Sequence, residues 1–466
     1  MNNNYTTHIK RNSYDCIVIG AGAAGLFYAA ADSIRKSSSI CPGKKLILEK
    51  TDRPGQKLLM SGNGMCNITH GGSIKDFISK YGDDGSRIRR CLYRHNNLEL
   101  MKMMEKIGIP LTERDDGKVF PASLKAGDVL DALLNVINHS VEVSDPDVNS
   151  WGIECGAEVA EMEIISVHDI IPGKDNTGNS CRTESSSGEH HTPSVIRLTL
   201  KDGRTFDTLK LVIATGGASY PSTGSDGSFF KILERDLGLK VKALRPALSP
   251  VFVQDFSYSD LAGISFKDVI ITCTEKTLPS SRTARGGLLV THRGFSGPAA
   301  LHISQYVRAG AALSIDFLPA FNADEMRSNL KKAREKSGQS ITNYIAAEFG
   351  LPKAFVTEIL CRLNSQSANS RAKKLSDISN KDIQTIIHLL KEHEYSVSGT
   401  SGWNDSMVTA GGVALDQIDL KTMRLATIAE TTAPDIRIIG EALDINGDTG
   451  GYNLQFAYSS AMAALE

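Results

Sequence analysis

Three glycines spaced to approach a phosphate stand near the start of the chain, in Gly20-Ala-Gly22-Ala-Ala-Gly25. In such a pattern the first glycine permits a tight turn, the second admits backbone amides to a diphosphate, and the third lets helix and strand pack closely. A helix opening at this point directs about half a positive charge at the same place. Glu49 follows, an acid placed to accept hydrogen bonds from ribose hydroxyls and to disfavour a 2′-phosphate. Its spacing from the glycines is stretched by the segment Arg35 to Lys44. Past Glu49, polar and glycine residues persist through Thr51-Asp-Arg-Pro-Gly-Gln56-Lys57 and Ser61-Gly-Asn-Gly-Met-Cys-Asn67. A long, extended ligand suits that run better than a short one, which favours FAD over NAD.

Further points along such a ligand are Thr215-Gly216-Gly217 and the C-terminal stretch Gly440-Glu441 to Leu454. The residues expected to hold it are Gly20, Gly22, Ala23, Ala24, Gly25, Glu49, Lys50, Gln56 and Lys57, then Ser61, Gly62, Asn63 and Asn67. The backbone near Val159, Thr215, Gly216 and Gly217, and finally Glu441, Asp444, Gly451, Asn453 and Leu454 complete the set. A flavin carries hydride or electrons itself, so few ionisable side chains are needed. Cys66 is a candidate for a chemical role, its alternative being a small buried hydrophobe. His292 is a candidate proton donor, or an ordinary structural histidine, and Arg293 beside it would bind an anionic substrate group or be solvated.

The elements that must position these groups are legible in the pattern. Tyr14 to Gly20 is a buried parallel-type strand running into the glycines, and an alanine-rich helix, Leu26 to Ile34, follows; Lys45 to Glu49 is the next strand. Ala126 to Asn138 has helical periodicity, with Leu130, Leu133, Leu134 and Ile137 on one face. A β-meander is predicted from Glu163 to His168, Val195 to Leu200 and Arg204 to Leu209, with Asp202-Gly203 as its hairpin turn. The polar segment Pro172 to Pro193 interrupts it as a loop. Its adjacent His190 and His191 read as solvated, with no ligand cluster nearby, and no metal is expected.

Beyond residue 244 short strands are predicted at Val269 to Thr274, Gly287 to Thr291 and Ala312 to Phe317. Helices follow at Asn322 to Lys336, Ser340 to Phe349, Pro352 to Leu363 and Asn380 to His393. Pro352 suits a first helical position, and Ser379 with Asp382 a capping box. Strand character returns at Glu394 to Ser398 and Met407 to Val413.

Composition narrows the class. The chain of 466 residues is long enough for about three domains, and its 41% hydrophobic and 23% charged content rules out a disordered chain. Its 52 Lys and Arg against 53 Asp and Glu give a net charge of −1, which offers no overall footprint for nucleic acid. Cys16, Cys41, Cys66, Cys91, Cys155, Cys181, Cys273 and Cys361 include no CxxC pair. That scatter fits a reducing compartment. The polar first twelve residues lack the apolar core of a signal peptide, and no run of eighteen apolar residues occurs, so a soluble cytoplasmic protein without a membrane partner is expected. Nothing in the sequence sets an oligomeric state.

Together these motifs resemble those of the BaiN/YhiN-like flavoproteins, also called NAD(P)/FAD-dependent or aminoacetone-oxidase-like oxidoreductases. The stretches that carry the resemblance are Ser61 to Asn67, Val119 to Ser123, Thr291 to Pro298, Thr409 to Val413 and Gly450 to Gln455. It extends from about Tyr14 to Ala463 and implies an α/β fold: a two-dinucleotide-binding, Rossmann-like FAD domain with an inserted β-barrel-like domain carrying a helical subdomain. The implied boundaries are 1–243 and 409–466 for the FAD domain, 244–320 and 394–408 for the β domain, and 321–393 for the helices. The chain departs from the family at Met65, where the family has arginine, at Met423 to Ala426, and in the length of the 172–193 loop.

The expected function is FAD-dependent oxidoreduction of a small organic substrate in the cleft between the two domains. No second GxGxxG follows a strand, so NADH or NADPH would either act as a transient electron donor stacked at the flavin or take no part. One alternative is a flavin-dependent RNA-modification factor, for which Lys331, Lys332, Arg334 and Lys336 would form a local basic patch against the neutral overall charge. The other is a flavin redox sensor without turnover.

Overall fold

The computed structural model describes residues 12–35, 43–138, 151–166, 194–275, 278, 280–336, 338–363, 374–426 and 434–466. The expectations for residues 1–11, for the 172–193 loop and for His190 and His191 fall outside them. The chain divides into two compact units, Met1–Arg245 with Val408–Glu466, and Pro246–Met407.

The first unit is built on a parallel sheet. Its central strands are β1 (Ser13–Ile19), β2 (Lys45–Glu49), β3 (Thr205–Ile213) and β4 (Asp435–Ile438). They stand in the order β4-β3-β1-β2, with Trp151–Cys155 beyond β2. All four adjacent pairs are parallel, Ile19 lying beside Leu48 on one side and Ile213 on the other. Because both faces of such a sheet are covered, its strands are continuously buried: Cys16 to Ile19 and Lys45 to Glu49 are all inside, with apolar Leu46 to Leu48 between the charged ends of the latter. The predicted meander is present as Val159–Ser166, Ser194–Leu200 and β3, paired antiparallel.

Helix α1 (Ala23–Ile34) is buried from Ala24 through Ser33, on every face, which is why its sequence is alanine-rich and not amphipathic. It packs against α3 (Tyr452–Ala463), with Phe27 edge-on to Tyr458 at 5.8 Å, and against Ala126–Asn138. The short helix α2 (Gln56–Met60) lies between α1 and α3 in sequence and is tied to the glycine turn by the Gly55 N–H, which donates to Ala21 O at 2.9 Å.

The second unit is a closed six-stranded antiparallel barrel. Its strand order is Val251–Val253, Gly294–Ser296, Arg282–Val290, Ser265–Thr274, Ala312–Asp316 and His393–Thr400, the last pairing with the first. Closure leaves no unpaired sheet edge. The helices Ala323–Lys336, Ile341–Phe349, Lys353–Leu363 and Asn380–Lys391 share its hydrophobic core. Ser379 and Asp382 form the expected capping box. Pro352, predicted as the first helical residue, instead precedes Lys353 and contributes its carbonyl, which accepts from Val356 N at 3.1 Å. Among the described residues no helix is long and apolar enough to cross a membrane.

Candidate nucleotide-binding site

The carboxyl ends of β1, β2, β3 and β4 meet at the start of α1. Gly20 N–H donates to Leu48 O (2.8 Å), Ala214 N–H to Ile19 O (2.8 Å) and Ile439 N–H to Ile213 O (2.9 Å), so the four chain exits are held side by side. The three glycines then differ in what surrounds them. Gly20 has φ +102°, and a methyl there would lie 2.5 Å from Ala214 O. A methyl on Gly25 would lie 2.1 Å from Gly20 O, so helix and strand touch only because Gly25 lacks one. Gly22, with φ −79°, has nothing within 4 Å of where its Cβ would be. That space fronts the N-terminus of α1, which no side chain caps and whose first turn holds no acid. Ala23 and Ala24 open the helix, and a methyl on Gly440 would lie 2.8 Å from the Ala24 methyl. An uncapped helix N-terminus with open room before it is suited to a diphosphate.

Glu49 is 8% exposed at the end of β2. Its carboxylate accepts from Ala21 N (2.8 Å), Thr51 N (2.9 Å) and Thr51 Oγ1 (2.8 Å), which orients it beside the glycine turn. Two carboxylate oxygens offer about four acceptor positions, so capacity for a ribose hydroxyl is left. Lys50 is taken up by Asp226 (2.6 Å) and Glu158 (3.3 Å), and Gln56 by Asp52 (3.1 Å). Val159 is buried at the start of its meander strand.

Lys57 and Glu441, far apart in sequence, form an ion pair at 2.6 Å. Lys57 also donates to Ser219 Oγ, and Glu441 accepts from Ser219 Oγ (3.2 Å) and Thr409 N (2.8 Å). Thr409 Oγ1 in turn accepts from Ala218 N at 2.7 Å. Thr215 and Gly216 lead into this network, and Gly217 has no room for a side chain, since a methyl would meet Thr409 Oγ1 at 2.2 Å. Ser219 and Thr409 were not singled out from the sequence, although Thr409 opens one of the motifs quoted above. Asp444 pairs with Lys242 (2.5 Å) and accepts from Gly411 N (3.1 Å).

The segment Ser61 to Asn67 is a turn with Gly62, Asn63 and Cys66 at φ +57°, +56° and +58°. Ser61 Oγ donates to Leu58 O (2.7 Å), while Gly62 and Asn63 face solvent. Cys66 is 1% exposed; burial pushes its thiol up to about 11, with a hydrogen bond from Ser61 acting against the shift, so the thiol is protonated at neutral pH. Asn67, its amide oriented to satisfy its neighbours, donates to Thr69 O (2.9 Å) and Val119 O (3.2 Å) and accepts from Gly451 N (3.1 Å). Asn453 closes the neighbouring loop on itself, accepting from Gly447 N (2.8 Å) and donating to Gly447 O (2.9 Å). Leu454 packs partly buried against the core. Beside Met65 stands the guanidinium of Arg114, 3.4 Å from its sulfur and 4.2 Å over the Phe120 ring. A cation is thus present next to residue 65, supplied from another part of the chain.

His292 and Arg293 belong to the barrel unit. They form the exposed connection between the strands Arg282–Val290 and Gly294–Ser296, with Arg293 over the Phe252 ring at 4.1 Å.

Strand ends, an open helix N-terminus and a buried acid define a Rossmann-type nucleotide-binding protein with an inserted barrel. The chain matches the HI0933-like protein Rossmann domain over residues 14–169 and the HI0933-like protein barrel and H2TH domain over residues 245–408, and it belongs to the HI0933-like family. The resemblance to BaiN/YhiN-like flavoproteins agrees with this assignment. A relative named ribosomal RNA dihydrouridine synthase, from Escherichia coli, is 29% identical over 97% of both chains. One of the same name from Haemophilus influenzae is 28% identical over 96% of both. A third, named 3-dehydro-bile acid delta(4,6)-reductase, from Clostridium scindens, is 25% identical over 96% of this chain and 97% of its own.

Proposed function

We propose that this protein is an FAD-dependent oxidoreductase that reduces a carbon–carbon double bond conjugated to a carbonyl, its substrate class being uracil in ribosomal RNA. The observation that carries the flavin part is the set of Gly22, Glu49 and the Lys57–Glu441 pair around the ends of parallel strands. The residues fit the cofactor. The backbone from Gly20 to Gly25 would hold the diphosphate, Glu49 the adenosine ribose, and Lys57 with Glu441 polar groups further along. FAD supplies hydride equivalents when bound, with NADH or NADPH as the proposed transient donor.

The choice of bond rests on the relatives' names. Dihydrouridine formation and a delta(4,6)-reductase both saturate an alkene polarised by a carbonyl. Such a reduction also consumes one proton. Cys66 holds a proton at neutral pH, and delivering it requires the 61–66 turn to open. The RNA reading is preferred because two relatives aligned over nearly their whole lengths bear that name. A free conjugated ketone is the second reading, favoured by the bile acid reductase.

The test is anaerobic: flavin-loaded protein is mixed with NADH or NADPH, then with protein-free ribosomal RNA or a conjugated enone. Flavin bleaching followed by recovery on RNA, with uridine gaining two hydrogens by mass, is expected. Recovery on the enone alone would replace the RNA reading, and protein that binds no FAD would end both.

A further inference from the structure

The helical part of the barrel unit carries a charge that the whole chain does not. Residues 321–393 hold 12 Lys and Arg against 8 Asp and Glu, a net of +4 in a protein whose total is −1. The fold gathers much of that excess. Arg334, near the end of Ala323–Lys336, donates to Ile378 O (3.3 Å) and Asn380 Oδ1 (3.0 Å), fastening that helix end to the start of Asn380–Lys391. Leu375 N–H donates to Gln339 O at 3.0 Å, and Ser340 forms a β-bridge with Lys374. Four exposed lysines therefore share one end of the helical layer: Lys331 and Lys332 within a turn of Arg334, and Lys374 and Lys381 beside its partners.

None of the four pairs with a carboxylate among the described residues. Among the described residues this layer forms the ion pairs Arg327–Asp324, Lys391–Asp316 and His388–Glu392. Glu335, Asp377 and Asp382 lie in the same stretch, but Asp382 is engaged in capping Ser379 N (2.8 Å) and Oγ (2.9 Å). Clustered like charges repel one another and contribute nothing to the hydrophobic core. Flexible, hydrated ammonium groups are suited to following phosphates as point charges, and the counterions released from RNA then drive association. A neutral enone has no use for such a surface.

We infer that this lysine cluster docks the phosphate backbone of the RNA substrate; the inference rests on the uracil-reducing activity proposed above. The test compares flavin-loaded wild type with Lys331→Glu/Lys332→Glu/Lys381→Glu and with a matched control on the other unit, Lys106→Glu/Lys231→Glu/Lys421→Glu. Binding to protein-free ribosomal RNA is measured across a salt series. For the first variant, the slope of log Kd against log salt falls by about 2 to 3 and low-salt affinity drops by about tenfold or more. Flavin content and the rate of flavin reduction stay as in wild type. Equal losses in the two triple variants would overturn the docking assignment, as would wild type that fails to bind RNA at low salt. Patch-dependent binding without dihydrouridine formation would instead keep the docking surface and sink the proposed activity.

Discussion

The two units of the chain hold ligand-capable groups in opposite ways. In the strand-end site of the first unit, the carboxylates of Glu49 and Glu441 are engaged by neighbours, and Gly20 and Gly25 are pressed against backbone. On the second unit, Lys331, Lys332, Lys374 and Lys381 are exposed and pair with no carboxylate among the described residues, although Lys391 does pair with Asp316. Charge follows the same division: residues 246–407 carry 18 Lys and Arg against 15 Asp and Glu, while the remainder carries 34 against 38. A site that recognises a small ligand by backbone must be preorganised. A surface that attracts a polyanion needs only charge and reach.

The contrast breaks most sharply at Gly25. Gly25→Ala forces a methyl to 2.1 Å from Gly20 O, where neither backbone can yield, and is expected to cost ~3 kcal/mol or more and to abolish flavin retention. Thermal unfolding and the flavin absorbance of the purified variant check this. A wild-type Tm would remove the close-packing account of the third glycine.

Acid should weaken both units through one buried histidine each. His95, in the first, is pushed down to about 4 by burial, with Arg94 and Arg35 adding to the effect. His393, in the second, is likewise pushed down to about 4 by burial and by Arg362, which donates to its Nε2 at 3.0 Å. Both are neutral when folded and have a higher pKa when unfolded. Their stabilising contribution is therefore complete above pH 6.5 and is lost as pH falls from 6.5 towards 4, by about 2 kcal/mol each after allowing for solvent screening. Chemical denaturation at pH 7 and pH 5 should show the loss, and His95→Gln and His393→Gln should each flatten it in part. Equal stability at the two pH values would contradict the assignment of both as neutral.

A smaller effect is expected at Glu49. Glu49→Ala leaves the Ala21 N–H without its acceptor, costing about 1–3 kcal/mol, whereas Glu49→Gln keeps an acceptor and most of the stability while weakening the hold on ribose. Urea melts alongside FAD titrations separate the two variants. Identical FAD affinity in wild type and Glu49→Gln would mean that the carboxylate does not face the nucleotide.

Much of this architecture was legible in the residues, because periodicity is a local property. The strand, glycine turn and helix at 13–34, the meander with its Asp202-Gly203 turn, and the capping box at Ser379 all follow from neighbours in sequence. What escaped was pairing across distance. Lys57 and Glu441 were each read as ligand contacts, and their contact with one another depends on β4 returning beside β3. Asn67 has the composition of a binding-loop residue, yet its amide is committed in part to Val119 and Gly451, which only the fold brings near, while Asn453 closes a local turn onto Gly447. Arg114 beside Met65 is of the same kind, as is Arg334 against Asn380. The burial of Cys66 depends on a left-handed turn that its side-chain type does not announce.

The most direct measurement of the central claim is FAD binding by Gly22→Ala, set against wild type in equilibrium titrations with the flavin-free protein. At this position a methyl has open space and an ordinary φ, so the fold is untouched. The account predicts an unchanged Tm for the flavin-free protein with FAD affinity reduced by about tenfold or more, because the methyl occupies the room kept for the diphosphate. Wild-type affinity in a normally folded Gly22→Ala variant would contradict it.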